Sequence, residues 1–147
     1  MRHCLRLVVV LALLAGGMAS AKDTINRYTV STAKPFADVI DDLKFAISDH
    51  NFRITGNNRI GAGIAKREGI VFPRASVFEF CNLRYAQQLL EFSPSYLLHM
   101  PCRIAVYEQG KQTIIDAYLL SENDPRNSRV ITEVNQIIKS IVRYAAE

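Results

Sequence analysis

The residues of this chain best suited to chemistry lie in two places, Cys81 and the run His99-Met100-Pro101-Cys102. Within four positions the run holds an imidazole, a thioether and a thiol, donor types that together suit copper(I) or zinc. With Cys81 alongside, the candidate metal set is Cys81, His99, Met100 and Cys102. There is no Cys-x-x-Cys and no second histidine pair, so the spacing is not that of a standard zinc site. Two further readings use the same residues. Cys81 and Cys102 can form one disulfide in an oxidising compartment, or stay as two thiols packed as small hydrophobes beside Met100. A thiol-redox role would need exposure and a lowered thiol pKa.

Other chemistries find less to work with. Nucleophilic hydrolysis needs a base within hydrogen-bond reach of the nucleophile. Beyond residue 21 the only histidines are His50 and His99, and no Gly-x-Ser-x-Gly elbow occurs. Gly61-Ala62-Gly63 lacks the third glycine of a dinucleotide loop. His50 reads as the end of a helix, where the dipole favours it. Phe36, Phe45, Phe72, Phe78 and Phe80 read as core rather than as a binding cage. No residue is singled out as catalytic, and the sequence leaves any cofactor and its binding residues unknown.

The elements that must position these groups follow from periodicity. Asn26 to Thr32 is β-branched and predicts a strand. Phe36, Val39, Ile40, Leu43, Ala46 and Ile47 recur at helical spacing, with Pro35 in the first turn. Phe52 to Thr55 predicts a second strand stopped by Gly56-Asn57-Asn58. The glycine-rich stretch from Arg59 to Gly69 is a loop or a short, poorly formed helix. Ala75 to Phe80 alternates as a strand, and Asn82 can cap a helix that Ser93-Pro94 closes. Cys102 to Tyr107 and Gln112 to Leu119 form a hairpin through Gly110. Asn123-Asp124-Pro125 is a turn, with Asp124 as a helix cap. The final helix carries Val130, Ile131, Val134, Ile137, Ile138, Ile141, Val142 and Ala145 on one side, and should cover a sheet. The order β-α-β-β-α-β-β-α fits an α+β domain, a mostly antiparallel sheet with helices packed on one face.

The first 21 residues read as a cleaved signal peptide: Arg2 and Arg6, an apolar core from Leu7 to Ala15, and Ala19-Ser20-Ala21 before charged Lys22. That core is too short to span a bilayer, which needs about 20 helical residues. The expectation is a periplasmic or secreted protein, not membrane-spanning after cleavage, with residues 22–147 as a single domain. Cys4 would leave with the signal. So would two of the four net positive charges, carried by Arg2 and Arg6. Only Lys66-Arg67 are adjacent basic residues, which speaks against a nucleic-acid stripe.

Phe80-Cys81-Asn82 and Met100-Pro101-Cys102 carry a resemblance. The chain resembles the bacterial domain-of-unknown-function family numbered 302. In the branch concerned, Cys-Asn-Pro ends a strand, an Ala and a Leu follow on a helix, and Leu-Pro-Cys opens a Val-x-Val strand. The matching residues are Cys81, Asn82, Tyr85-Ala86, Leu89-Leu90, Leu98, Pro101, Cys102, Ile104, Val106 and Glu108. Looser similarity runs from Tyr28 to Leu120. Leu83 stands where the family has proline, Met100 where it has leucine, and Arg59 near an expected acidic or histidine residue. The resemblance implies an α+β fold and dimerisation, with no established activity. It also implies that the cysteine pair is a thiol or ligand site rather than an adaptation to export. The function expected is therefore a non-enzymatic binding or interaction domain, for a small ligand or a periplasmic protein. The alternative is a thiol-redox or soft-metal protein using Cys81 and Cys102.

Overall fold

The computed structural model describes residues 26–122 and 128–147. The signal-peptide reading of residues 1–21 and the Asn123-Asp124-Pro125 turn, with its Asp124 cap, lie outside the described residues. The chain runs β1 (Arg27–Thr32), α1 (Phe36–Asp49), β2 (Arg53–Asn58), α2 (Ile60–Glu68), β3 (Ala75–Cys81) and α3 (Leu83–Phe92). A 3₁₀ helix (Pro94–His99), β4 (Cys102–Gln109), β5 (Gln112–Tyr118) and α4 (Ser128–Ala146) follow. The fold is α+β, with one five-stranded sheet in the order β1-β5-β4-β3-β2 and every neighbour antiparallel.

Register sorts the side chains. Phe78 stands opposite Ile104, Val106 opposite Ile115, and Ile104 opposite Ala117. Because strand side chains alternate, these residues share one face. That face is buried under α1 and α4. Val39, Leu43 and Ile47 come from α1, and Ile131, Ile138, Ile141 and Val142 from α4, all essentially without exposure. Each such aliphatic side chain contributes about 1.5–3 kcal/mol by leaving water. The opposite face is polar, as one-sided antiparallel sheets commonly are. There Arg27 pairs with Asp116, which also accepts from Thr29 Oγ1 at 2.9 Å.

Three expectations change, and one open alternative resolves. β2 does not stop at Gly56-Asn57-Asn58 but continues through them, because a register shift between Ile54 and Gly56 absorbs Thr55 as a bulge. Of the two readings of the stretch 59–69, the helix holds: Ile60–Glu68 is helical, and Gly69 ends it at φ 66°, the left-handed conformation that glycine adopts freely. Pro35 is the residue before α1 rather than within its first turn. Phe45 and Phe72 are not core. Phe45 is 57% exposed and stacks on Tyr144 at 5.6 Å, on the flank between α1 and α4. Phe72 lies in the coil before β3, 38% exposed.

Candidate functional site

Cys81 is the last residue of β3 and Cys102 the first of β4. Phe80 stands directly opposite Cys102, so the two cysteines occupy adjoining strand ends. The chain between them folds back over that end of the sheet. Asn82 starts α3 as expected, its Oδ1 accepting from Arg84 N at 3.0 Å, while its Nδ2 donates to Asn51 O at 3.0 Å. Ser93-Pro94 closes α3 but also opens the 3₁₀ helix, which the periodicity did not reveal. Ser93 Oγ accepts from Ser95 N at 3.3 Å, and Pro94 takes the first-turn position where a missing N–H costs nothing. This short helix returns the chain to β4 and delivers His99 and Met100 to the cysteines. The Met100–Pro101 peptide is cis.

All four candidate residues, Cys81, His99, Met100 and Cys102, line one crevice. Its other walls are Phe52, Asn82, Tyr85, Ala86 and Leu89, with Leu120 after β5 and Val134 of α4. The cavity measures about 20 Å³. A single water needs roughly 10–15 Å³, whereas organic ligands occupy pockets of about 300–1,000 Å³. The crevice as it stands therefore holds one water-sized occupant. Water itself is a poor match, since it needs two to four polar partners. Two of the polar side chains at hand are engaged elsewhere: Asn82 as above, and Tyr85 Oη with Glu133 Oε1 at 2.6 Å.

The two cysteines are not bonded to each other. Burial pushes the Cys81 thiol pKa upward. Burial, and then the neighbouring Cys81, push that of Cys102 up to about 12. Neither thiol has the lowered pKa that marks a reactive nucleophile. His99 is held by Tyr118: the rings stack at 6.0 Å, and Nδ1 lies 3.0 Å from Tyr118 Oη. When Nδ1–H donates to that oxygen, Nε2 is the nitrogen left with a lone pair. The Arg103 guanidinium sits 5.9 Å from the Tyr118 ring centre and acts electrostatically on Cys102. Among the described residues, no three of the His, Cys, Asp and Glu side chains converge as a metal site.

The profile described as Domain of unknown function DUF302 matches residues 28–144, most of the sequence. The chain belongs to the DUF302 family. An uncharacterized protein of Aquifex aeolicus (strain VF5) is 25% identical over 118 residues, covering 74% of this chain and 76% of its own. Among solved structures, an uncharacterized conserved DUF302 protein from Bacillus stearothermophilus superposes with a TM-score of 0.72. It is 17% identical and covers 82% of this chain and 98% of that one, a likeness of fold. In this DUF302 domain the sequence pointed to the cysteines, His99 and Met100, and missed Tyr118, Phe52 and Leu120. Tyr118 carried a usable signal: a tyrosine near the end of a strand needs a partner for its hydroxyl.

The other candidates fall apart in space or stay at the surface. His50 terminates α1, its N–H donating to Ala46 O at 3.1 Å. Leu83, in the place of the family proline, is 80% exposed at the start of α3. No described helix is long and apolar enough to cross a membrane.

Proposed function

We propose that this is an exported, non-enzymatic binding domain. Its ligand site is the crevice between α3, the 3₁₀ helix and the adjoining ends of β3 and β4. The observation that carries this reading is the small, mostly apolar crevice lined by Cys81, Met100, Cys102 and His99. Thiols with raised pKa values favour holding an occupant over attacking one. The same property argues against the thiol-redox alternative. Leu83, Leu97 and Leu98, close in sequence to the crevice-lining Asn82 and His99, are 62–83% exposed. Export supplies the setting, with the signal-like residues 1–21 removed.

Ala86, 8% exposed on the crevice wall, provides the test. Native mass spectrometry of protein recovered from the export compartment should show a bound species on the wild type. Ala86→Leu fills the cavity and should remove it. Methyl NMR shifts of Leu89 on titration with small apolar probes and metal ions give a second readout. A wild type that carries nothing and answers to no probe defeats the proposal. So does an Ala86→Leu variant that binds as well as the wild type.

A further inference from the structure

Toward the end of β3 away from the crevice, an open groove of about 370 Å³ lies between the first half of α1 and strands β2 and β3. Organic ligands occupy pockets of about 300–1,000 Å³, so the groove has the volume that the crevice lacks. Phe36 and Ile40 of α1 and Phe78 of β3 give it apolar walls. Asn57 stands opposite Phe78, and Ser76 lies two residues before it, so all three face the helix side of the sheet. Ser76 is 8% exposed, yet its hydroxyl makes no hydrogen bond among the described residues. Buried hydroxyls are as a rule hydrogen-bonded, so one that lines a groove without a protein partner is a group free to bind. The side chains of Asn57 and Arg59 line the same groove and also make no hydrogen bond or ion pair among the described residues. The other lining charges are matched, Lys44 by Asp41 at 3.1 Å and Arg74 by Glu108 at 2.6 Å. Arg59 is therefore the one uncompensated charge of the lining. It also opens α2, whose first turn has no side-chain cap and no acidic residue, so the positive end of that helix adds to the same field.

We propose that this groove binds a small organic monoanion, a carboxylate with an apolar body. The forked guanidinium of Arg59 suits a carboxylate through two parallel hydrogen bonds, and the Ser76 hydroxyl donates a third. The apolar body lies along Ile40, Phe36 and Phe78. Arg74 sits 5.0 Å over the Phe36 ring and stays with Glu108, so it closes one side of the groove without competing for the ligand. One unmatched cation favours a single negative charge over the nearly two of a phosphate monoester. The site is separate from the crevice and stands whether or not the crevice is occupied.

The experiment titrates the isotope-labelled full chain with phenylacetate, phenylbutyrate and octanoate and follows the amide NMR shifts. At least one should bind saturably and move the amides of Ile40, Asn57 and Ser76. The neutral amide of that acid has the body without the charge, and acetate the charge without the body; both should bind about 10-fold more weakly or worse. Arg59→Gln should weaken the bound carboxylate about 10–100-fold, and Ser76→Ala about 3–10-fold. Neither should lower the melting temperature, because neither side chain bonds within the fold, so lost binding is not lost folding. Lys111→Gln removes a charge from the β4–β5 turn and should leave the affinity unchanged. The proposal is overturned if no carboxylate moves the groove amides, if the neutral amide binds as tightly as its acid, or if both variants bind as the wild type does. Phenyl phosphate preferred over every carboxylate overturns it too. Shifts confined to Leu89 would put the ligand in the crevice, which overturns this site and leaves the crevice reading in place.

Discussion

Asn135 is fully buried in the inward stripe of α4, an unusual place for an amide. Its Oδ1 accepts from Leu120 N at 2.9 Å, and its Nδ2 donates to Leu120 O at 3.0 Å and to Glu122 Oε1 at 2.9 Å. One side chain thus satisfies both backbone groups of a residue that leaves the sheet and walls the crevice. Asn135→Ala would strand the Leu120 N–H in the core, while Leu120 O keeps the hydrogen bond that Asn26 Nδ2 donates at 2.9 Å. One unsatisfied buried group costs about 1–3 kcal/mol, which is the expected loss. Against a domain stability of about 5–15 kcal/mol this is a large fraction. Urea unfolding followed by circular dichroism should show it. With a slope of about 2 kcal/mol per molar, the midpoint falls by roughly 0.5–1.5 M at unchanged slope. Asn135→Asp makes the argument sharper. It keeps an acceptor for Leu120 N but turns a second oxygen toward Leu120 O and Glu122, so it should be worse than alanine at neutral pH and recover on acidification. An Asn135→Ala variant within about 0.5 kcal/mol of wild type, the range of ordinary surface changes, would refute the reasoning.

Gly61 and Gly63 share a helix and should respond oppositely to alanine. A Cβ at Gly61 would lie 2.4 Å from Pro73 O and 2.7 Å from Ala75 N, so Gly61→Ala must displace backbone and lower the melting temperature; at Gly63 nothing lies within 4 Å, and Gly63→Ala should gain about 0.5–1 kcal/mol. Glu108 accepts from Arg74 N at 2.9 Å and Arg74 Nη2 at 2.6 Å, and the Arg74 hydrogen bonds hold its pKa below the usual value. A depressed carboxylate stabilises above its unfolded value and loses that as pH falls through the folded one. Glu108→Gln should therefore cost about 0.2–1 kcal/mol at pH 7, a small effect because the pair is exposed, and nothing in strong acid, as read by denaturant titration at several pH values. The Cys102 thiol has the opposite sign. Raised to about 12 in the fold, it favours the native state until the unfolded thiol ionises near 9, and stability then falls as pH rises toward 12. At pH 10 the loss should be about 1.4 kcal/mol, and Cys102→Ala should abolish that alkaline slope in thermal melts.

The sequence read well wherever one local signal settled the outcome. The periods of α1 and α4, the Asn82 cap and the Gly110 hairpin are all of this kind. It read poorly where two signals competed. In β2, glycine and two asparagines spoke for a turn, but pairing with β3 outweighed them and a bulge absorbed the mismatch. In α2, glycines argued against a helix, yet one of them is there because Pro73 and Ala75 approach too closely for any side chain. Phe45 falls just off the buried stripe of α1, and hydrophobicity alone could not tell a flank from a core. The candidate site was half legible. Residue type marked Cys81, His99, Met100 and Cys102, but Phe52 and Leu120 reach the crevice from positions distant in sequence, and Tyr118 acts on it only through His99. Asn135 gave no signal, because its value lies in two backbone groups that only the fold presents to it.

The connection between β3 and β4 argues for the site independently of its lining. Antiparallel neighbours can be joined by two residues, as Gly110-Lys111 joins β4 to β5. Between β3 and β4 the chain instead spends residues 82–101 on α3 and the 3₁₀ helix. Lengthening a loop from about 2 to about 20 residues costs roughly 2 kcal/mol in closure entropy. In return α3 buries only Ala86 and Leu89, and the 3₁₀ helix buries no residue fully. Burying one leucine contributes about 1.5–3 kcal/mol, so the excursion is close to neutral for stability. A segment so balanced can lift from the sheet at small free-energy cost, as elements beside binding sites do. It leaves the sheet at Cys81 and rejoins it at Cys102, so its two hinges are strand ends that themselves line the crevice, and an occupant there would hold the cover down.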